Sequence, residues 1–168
     1  YTYGNFDANT NNDGETDGFL TKYDSSGNKQ WTQQFGSPYW EDTYGLAIDS
    51  NNNVYITGYT EGDLDGNTAS GNGDIYLMKN DSAGNKQWTR QENSTSWIGS
   101  SGIAIDSNNN VYITGYTYGD LDGNTHKGNG DIFIIKYDSS GIKQWTETLG
   151  TPLEEEGIGI AIDSNNNI

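Results

Sequence analysis

Residues 74–130 read DIYLMKNDSAGNKQWTRQENSTSWIGSSGIAIDSNNNVYITGYTYGDLDGNTHKGNG, and the chain carries this stretch three times. Asp17, Asp74 and Asp131 open successive copies 57 residues apart. The copies align without a gap up to Asn53, Asn110 and Asn167. Trp31, Trp88 and Trp145 share one position of the repeat. Ala47-Ile48-Asp49, Ala104-Ile105-Asp106 and Ala161-Ile162-Asp163 share another. A fixed period of this size marks a repeat architecture, and it governs every later reading of the chain.

The whole chain has 168 residues, a formal net charge of −16 and no cysteine. Leu, Ile, Val and Phe together number only 28, a level at which strongly charged chains lean towards disorder. Disorder is rejected here because the apolar residues recur at fixed positions. Twelve Tyr and five Trp also supply large buriable surfaces. Gly and Asn are abundant and Pro is scarce, which suits short strands joined by tight turns. The acidity argues against nucleic acid and anionic lipid, and favours cations. Without cysteine there is no disulfide scaffold. No apolar run reaches the ~20 residues of a membrane helix, so membrane insertion is not expected.

Residues 1–16 match the end of a repeat, since Tyr1-Thr2-Tyr3-Gly4 aligns with Tyr59-Thr60-Glu61-Gly62. Each full copy then holds four strand candidates, in the first at 18–23, 29–35, 44–49 and 54–60. Asp24-Ser25-Ser26-Gly27-Asn28 and Ser50-Asn51-Asn52-Asn53 read as tight turns with Gly or Asn placed for positive φ. No segment shows a helical period. Four antiparallel strands in a unit of about 50 residues is the pattern of a propeller blade. The expected fold is all-β: three four-stranded antiparallel propeller-type blades. Residues 17–73 and 74–130 would form two blades, and 131–168 a third, cut in its last strand. Gly45, Ala47, Gly102 and Ala104 are small enough to let adjacent sheets approach, and the repeated tryptophans are expected to wedge between blades.

These blocks resemble the bacterial β-propeller repeat called SBBP. The residues that carry the resemblance are Asp81-Ser82-Ala83-Gly84-Asn85-Lys86-Gln87-Trp88-Thr89, Gly102-Ile103-Ala104-Ile105-Asp106 and Val111-Tyr112-Ile113-Thr114-Gly115. The resemblance implies a propeller-like fold, a secreted or surface-attached bacterial protein, and no enzymatic activity. Three blades do not close a ring, because closed propellers use about four to eight. Ile168 aligns with Val54 and Tyr1 with Tyr59, so the Tyr-Ile-Thr-Gly between them in other copies is missing. The chain therefore reads as part of a longer array, or as a unit completed by other chains. A head-to-tail contact that does not close grows into a filament.

One recurring loop could carry chemistry. Asp63-Leu64-Asp65-Gly66-Asn67-Thr68 returns as Asp120-Leu121-Asp122-Gly123-Asn124-Thr125, with Asp74 and Asp131 at the twelfth position. Oxygens at positions 1, 3, 5 and 12 follow the logic of a calcium loop. Thr at position 6 and a closing Asp, shorter than Glu, depart from it. The expected ligands are Asp63, Asp65, Asn67 and Asp74, then Asp120, Asp122, Asn124 and Asp131. A weaker first copy uses Asn5, Asp7, Asn9 and Asp17. Hard oxygens and no thiol make Ca²⁺ the natural ion. The bland alternative is a solvated turn rich in Asp and Asn. His126 occurs once and is read as outside any repeated site.

Catalysis finds little support: there is no Cys, one His and no nucleophile–base constellation. The leading expectation is a non-enzymatic, calcium-stabilised structural or adhesive repeat protein, extracellular or on a bacterial cell surface, that self-associates head to tail into a filament. A second reading is a carbohydrate-binding propeller module using Trp40, Trp97 and Tyr39. A third is a non-catalytic fragment of a larger secreted enzyme.

Overall fold

A computed structural model of the chain describes residues 1–6 and 15–168. The described residues form ten strands and no helix. β1 is Gly18–Tyr23, β2 Lys29–Phe35, β3 Glu41–Ile48, β4 Val54–Thr60 and β5 Asp74–Asn80. β6 is Lys86–Glu92, β7 Ile98–Ile105, β8 Val111–Thr117, β9 Asp131–Tyr137 and β10 Lys143–Leu149. All pairings between these strands are antiparallel. Among the described residues no helix is long and apolar enough to cross a membrane.

The turns form for a local reason. Asp24 Oδ1 accepts hydrogen bonds from the Ser26 and Asn28 amides, both at 2.9 Å, and Asp81 repeats the pattern with Ala83 and Asn85. Hydrogen bonds from Asn28 and Asn85 hold these two carboxyls below their ordinary value of 3.8. In the other hairpins, Asp49 and Asp106 receive the amides two and four residues on. Asn52, Asn109 and Asn166 take left-handed φ of 64°, 63° and 63°, which Asn tolerates better than most residues.

The sheets differ from the expected frame in two ways. There are two four-stranded sheets, β3-β4-β5-β6 and β7-β8-β9-β10, and one two-stranded sheet, β1-β2. None of them is closed. The expected three four-stranded blades are thus corrected to sheets of two, four and four strands. The sheet boundaries also shift: one sheet covers 41–92 and the next 98–149, cutting across the 17–73 and 74–130 frame. The cause is the loop at 61–73. It folds back as a long hairpin, so β4 pairs with β5 from Thr60↔Asp74 to Val54↔Asn80. The shorter stretch at 36–40 crosses between sheets instead. At the start of the chain Thr2 bridges Asp17, in the register of Thr60 on Asp74. Residues 157–162 align with β3 and β7 but form no strand, because no counterpart of β4 or β8 lies beside them.

The buried residues lie between sheets. Ile56, Leu64, Tyr76 and Met78 join Leu20 and Trp31 between the first two sheets. Tyr55, Leu77, Ile98, Ile113, Phe133 and Ile135 lie at the heart of a larger cluster between the second and third. Inner strands approach closely, since a Cβ on Gly45 would sit 3.0 Å from Ile103 and one on Gly102 would sit 3.2 Å from Gly159 Cα. Each sheet therefore hides its apolar face only by leaning on the next.

One contact recurs at each sheet boundary. The Trp31 ring lies on Gly84 in the following sheet, and Trp88 lies on Gly141 in the one after. Lys22 Nζ donates to the Ser82 carbonyl at 2.8 Å, and Lys79 Nζ to the Ser139 carbonyl at 2.9 Å. The Ser50 amide and hydroxyl both donate to Asn109 Oδ1, at 3.1 and 2.9 Å, and Ser107 treats Asn166 Oδ1 identically. Trp31 and Trp88 thus wedge between sheets as expected, while the ring of Trp145 meets Tyr112 of its own sheet.

Gly84 has φ +89° and would place a Cβ 3.0 Å from the Trp31 ring. Gly84→Ala should therefore lower unfolding stability by about 2–3 kcal/mol, combining left-handed strain with the clash. Gly123→Ala, at φ +82° with open space around it, should cost about 1 kcal/mol from strain alone. Denaturant melts of the two variants measure the difference, which reports the tryptophan wedge.

Candidate functional site

The acidic loops follow β4 and β8, where Asp65 and Asp122 adopt left-handed φ of 54° and 51°. That geometry turns the two carboxylates towards the outer strand of their own sheet. Asp65 pairs with Lys86 and accepts the Thr89 hydroxyl at 2.5 Å. Asp122 accepts Lys143 Nζ on both oxygens at 2.7 Å and the Thr146 hydroxyl at 2.5 Å. Lys143 also reaches Glu92 at 2.7 Å. Burial works against charge on Lys143, but the hydrogen bonds to Asp122 and Glu92 outweigh it and raise its pKa.

The other expected ligands point elsewhere. Asp63 Oδ1 accepts the Ala69 amide and Asp120 Oδ1 the His126 amide, both at 2.8 Å. Asn67 and Asn124 use their side-chain nitrogens to donate to the Leu64 and Leu121 carbonyls. Asp74 is fully buried and accepts Gln91 Nε2 at 2.8 Å, as Asp17 accepts Gln34 Nε2 at 2.9 Å. Asp131 is also fully buried and accepts the Lys127 amide at 3.1 Å. Asn5 is exposed, and Asp7 and Asn9 lie outside the described residues. Among the described residues no three acidic or histidine side chains converge as a metal cradle. As placed, the loops meet lysine charge where a calcium loop would meet its ion.

Two features of these loops were not apparent from residue patterns. His126 Nε2 sits 3.9 Å from Asp131 Oδ1, and both atoms are buried without a hydrogen-bond partner. Glu41 is fully buried at the start of β3. It accepts the Ser37 amide at 2.7 Å, the Ser37 hydroxyl at 2.6 Å and the Thr60 hydroxyl at 2.8 Å. Burial raises its pKa in spite of those bonds. Glu155 closes the same five-residue loop onto Thr151, while Ile98 holds the position between them. A Ser/Thr-Pro-x-x-Glu spacing, Ser37-Pro38 to Glu41 and Thr151-Pro152 to Glu155, was the signal available.

The aromatic candidates separate. Tyr39 and Trp97 line one cleft of about 880 Å³ at the loop end of two sheets, together with Tyr59, Glu61, Asp63 and Asn72. Trp97 is the hub, 5.7 Å from the Tyr59 ring and 5.2 Å from Tyr116. Burial pushes the Tyr59 hydroxyl up to about 12, so at neutral pH it is a proton donor, and it donates to Glu61 at 3.0 Å. Trp40 is not in this cleft; its indole N–H donates to Glu15. Tyr59 was overlooked because it sits in a repeated strand and reads as packing.

The lysine–aspartate pairs yield a test. Lys86→Met and Lys143→Met should each cost about 1 kcal/mol, the scale for half-exposed pairs, and lower the melting temperature by a few degrees. A chelator should leave the wild-type melt unchanged. A chelator-induced drop reversed by added calcium would assign the loops to the ion instead.

Comparison with known proteins agrees with this geometry. The chain is 26% identical to an uncharacterised WD repeat-containing protein of Acanthamoeba polyphaga mimivirus, over 86% of the chain and 13% of that protein. It is 35% identical to the regulatory protein FlaEY of Caulobacter vibrioides, over 47% of the chain and 9% of that protein. The chain thus spans a small part of the length of these relatives. Two stretches, residues 30–65 and 87–122, match the SBBP beta-propeller repeat model, each running from a Trp-bearing outer strand into an acidic loop. By family model, residues 30–65 and 87–122 of this chain are two SBBP beta-propeller repeats.

Proposed function

We propose that the chain is a non-enzymatic structural repeat element, a run of propeller-type blades that binds further blades of its own kind head to tail. One observation carries this reading: the core lies between sheets, so the packing surface of each sheet is also its means of assembly. Apolar surface stays available on β3 and on the segment at 157–162, with Leu46 51%, Ile48 57% and Ile158 83% exposed. An extracellular or bacterial cell-surface setting and an adhesive role go with this reading. Calcium is the alternative charge partner for the acidic loops. Light scattering on the purified chain should show mass above one copy that falls on dilution. A single-copy mass at every concentration would remove the assembly role.

A second reading is favoured by the cleft of Tyr39, Tyr59 and Trp97. Aromatic faces beside Glu61, Asp63 and Asn72 offer stacking and hydrogen bonds together, the combination that a sugar ring uses. Trp97→Ala should then abolish binding on a glycan array, whereas Trp40→Ala should leave it intact. A blank array with wild-type protein would dismiss the glycan reading.

A further inference from the structure

The cleft of Tyr39, Tyr59 and Trp97 carries a charge as well as aromatic walls. Glu61 and Asp63 line it beside the rings, and no Lys, Arg or His does. Elsewhere the loop acids are answered by lysine: Asp65 pairs with Lys86 and Asp122 with Lys143. Among the described residues, Glu61 and Asp63 meet no cation. Glu61 accepts the Tyr59 hydroxyl at 3.0 Å, and Asp63 the Ala69 amide at 2.8 Å. Both side chains are exposed to whatever enters.

The rings are held in place before any ligand arrives. Each lies on a glycine, Tyr39 on Gly62, Tyr59 on Gly73 and Trp97 on Gly99, where a Cβ would collide with it. Tyr116 and Tyr118 brace Trp97 as well, at 5.2 and 5.9 Å between ring centres. Walls already in position lose little entropy on binding. The arrangement belongs to one copy of the repeat. At the same positions of the next copy Tyr118 replaces Glu61 and Glu154 replaces Trp97. There the Tyr118 hydroxyl donates to Glu154 at 2.7 Å, and the indole face is missing.

Aromatic faces attract cations through their negative quadrupole, and carboxylates beside them add to that attraction. The same carboxylates repel an acidic sugar, and a neutral sugar gains stacking but nothing from the charge. The net charge of −16 also draws cations towards the chain from a distance. We infer that this cleft takes a sugar bearing a free amine, its ring against the Tyr39 and Trp97 faces and its ammonium beside Glu61 and Asp63. This rests on the glycan reading above and names its substrate class. The volume of about 880 Å³ lies towards the upper end for small-ligand pockets, which suits an oligosaccharide better than a single ring.

Calorimetric titration of the whole chain tests this, with a glucosamine oligosaccharide and its N-acetylated counterpart at a pH where the amine is protonated. The two ligands share a ring and differ in charge. The amine form should bind about tenfold tighter, the scale for a cation against exposed rings and acids. That margin should shrink as salt is raised. Glu61→Gln should remove most of the margin and leave the affinity for the acetylated form unchanged. Glu147→Gln, the same change of charge at an exposed position of β10 outside the cleft, should alter neither affinity. Unchanged far-ultraviolet dichroism shows that each variant is folded. Equal binding of the two forms, or a margin indifferent to Glu61→Gln, would overturn the inference and leave the glycan reading standing. Tetralysine bound as tightly as the amine sugar would overturn the choice of a sugar. No binding of either form would overturn this inference and the glycan reading together.

Discussion

The structure depends on one constraint: no sheet in it can bury its own apolar residues. A blade of about fifty residues, poor in Leu, Val and Phe, has too little apolar area to offset the entropy of ordering its chain. The hydrophobic clusters therefore form between sheets, and the tryptophan of one outer strand covers a glycine in the next turn. The glycine serves twice, adopting the left-handed conformation the turn needs and leaving room for the ring. Lysine-to-carbonyl and serine-to-asparagine bonds then join neighbouring sheets at fixed positions of the repeat.

Most of the fold was legible in the sequence because it is written three times. β1, β2 and β4 fall where turn residues and aromatic alternation put them, and the wedge role of Trp31 and Trp88 follows from their recurrence. The sheet boundary was not legible. A period reports how far apart equivalent residues lie, and any point in the cycle can serve as its start. Only the choice between a hairpin at 36–40 and one at 61–73 decides it. The expected frame put 36–40 inside a blade and 61–73 at its end, whereas the long acidic loop makes the hairpin.

The site was legible in kind and less so in arrangement. Asp63, Asp65 and Asn67 have the spacing of metal ligands, yet spacing says nothing of which side chains have a nearer partner. Lys86 and Thr89 are more than twenty residues away in sequence, and they take the carboxylate that the loop would otherwise turn inward. Tyr39 and Trp97 come together because their loops are equivalent, while Trp40, one residue along, turns to Glu15. Glu41 escaped notice because its role needs a buried loop that only the folded chain displays.

The alternation of Glu41, Ile98 and Glu155 sets the character of each blade. At one position of three consecutive units the chain places an acid, a hydrocarbon and an acid. Ile98 is fully buried and joins the largest cluster, so the unit in the middle is held by grease at a point where its neighbours are held by hydrogen bonds. Units that differ in this way do not respond alike to protons or salt. At this one position, then, the middle unit carries nothing that titrates, while its neighbours carry carboxyls moved in opposite directions, Glu41 upward by burial and Glu155 downward by its hydrogen bonds from Thr151.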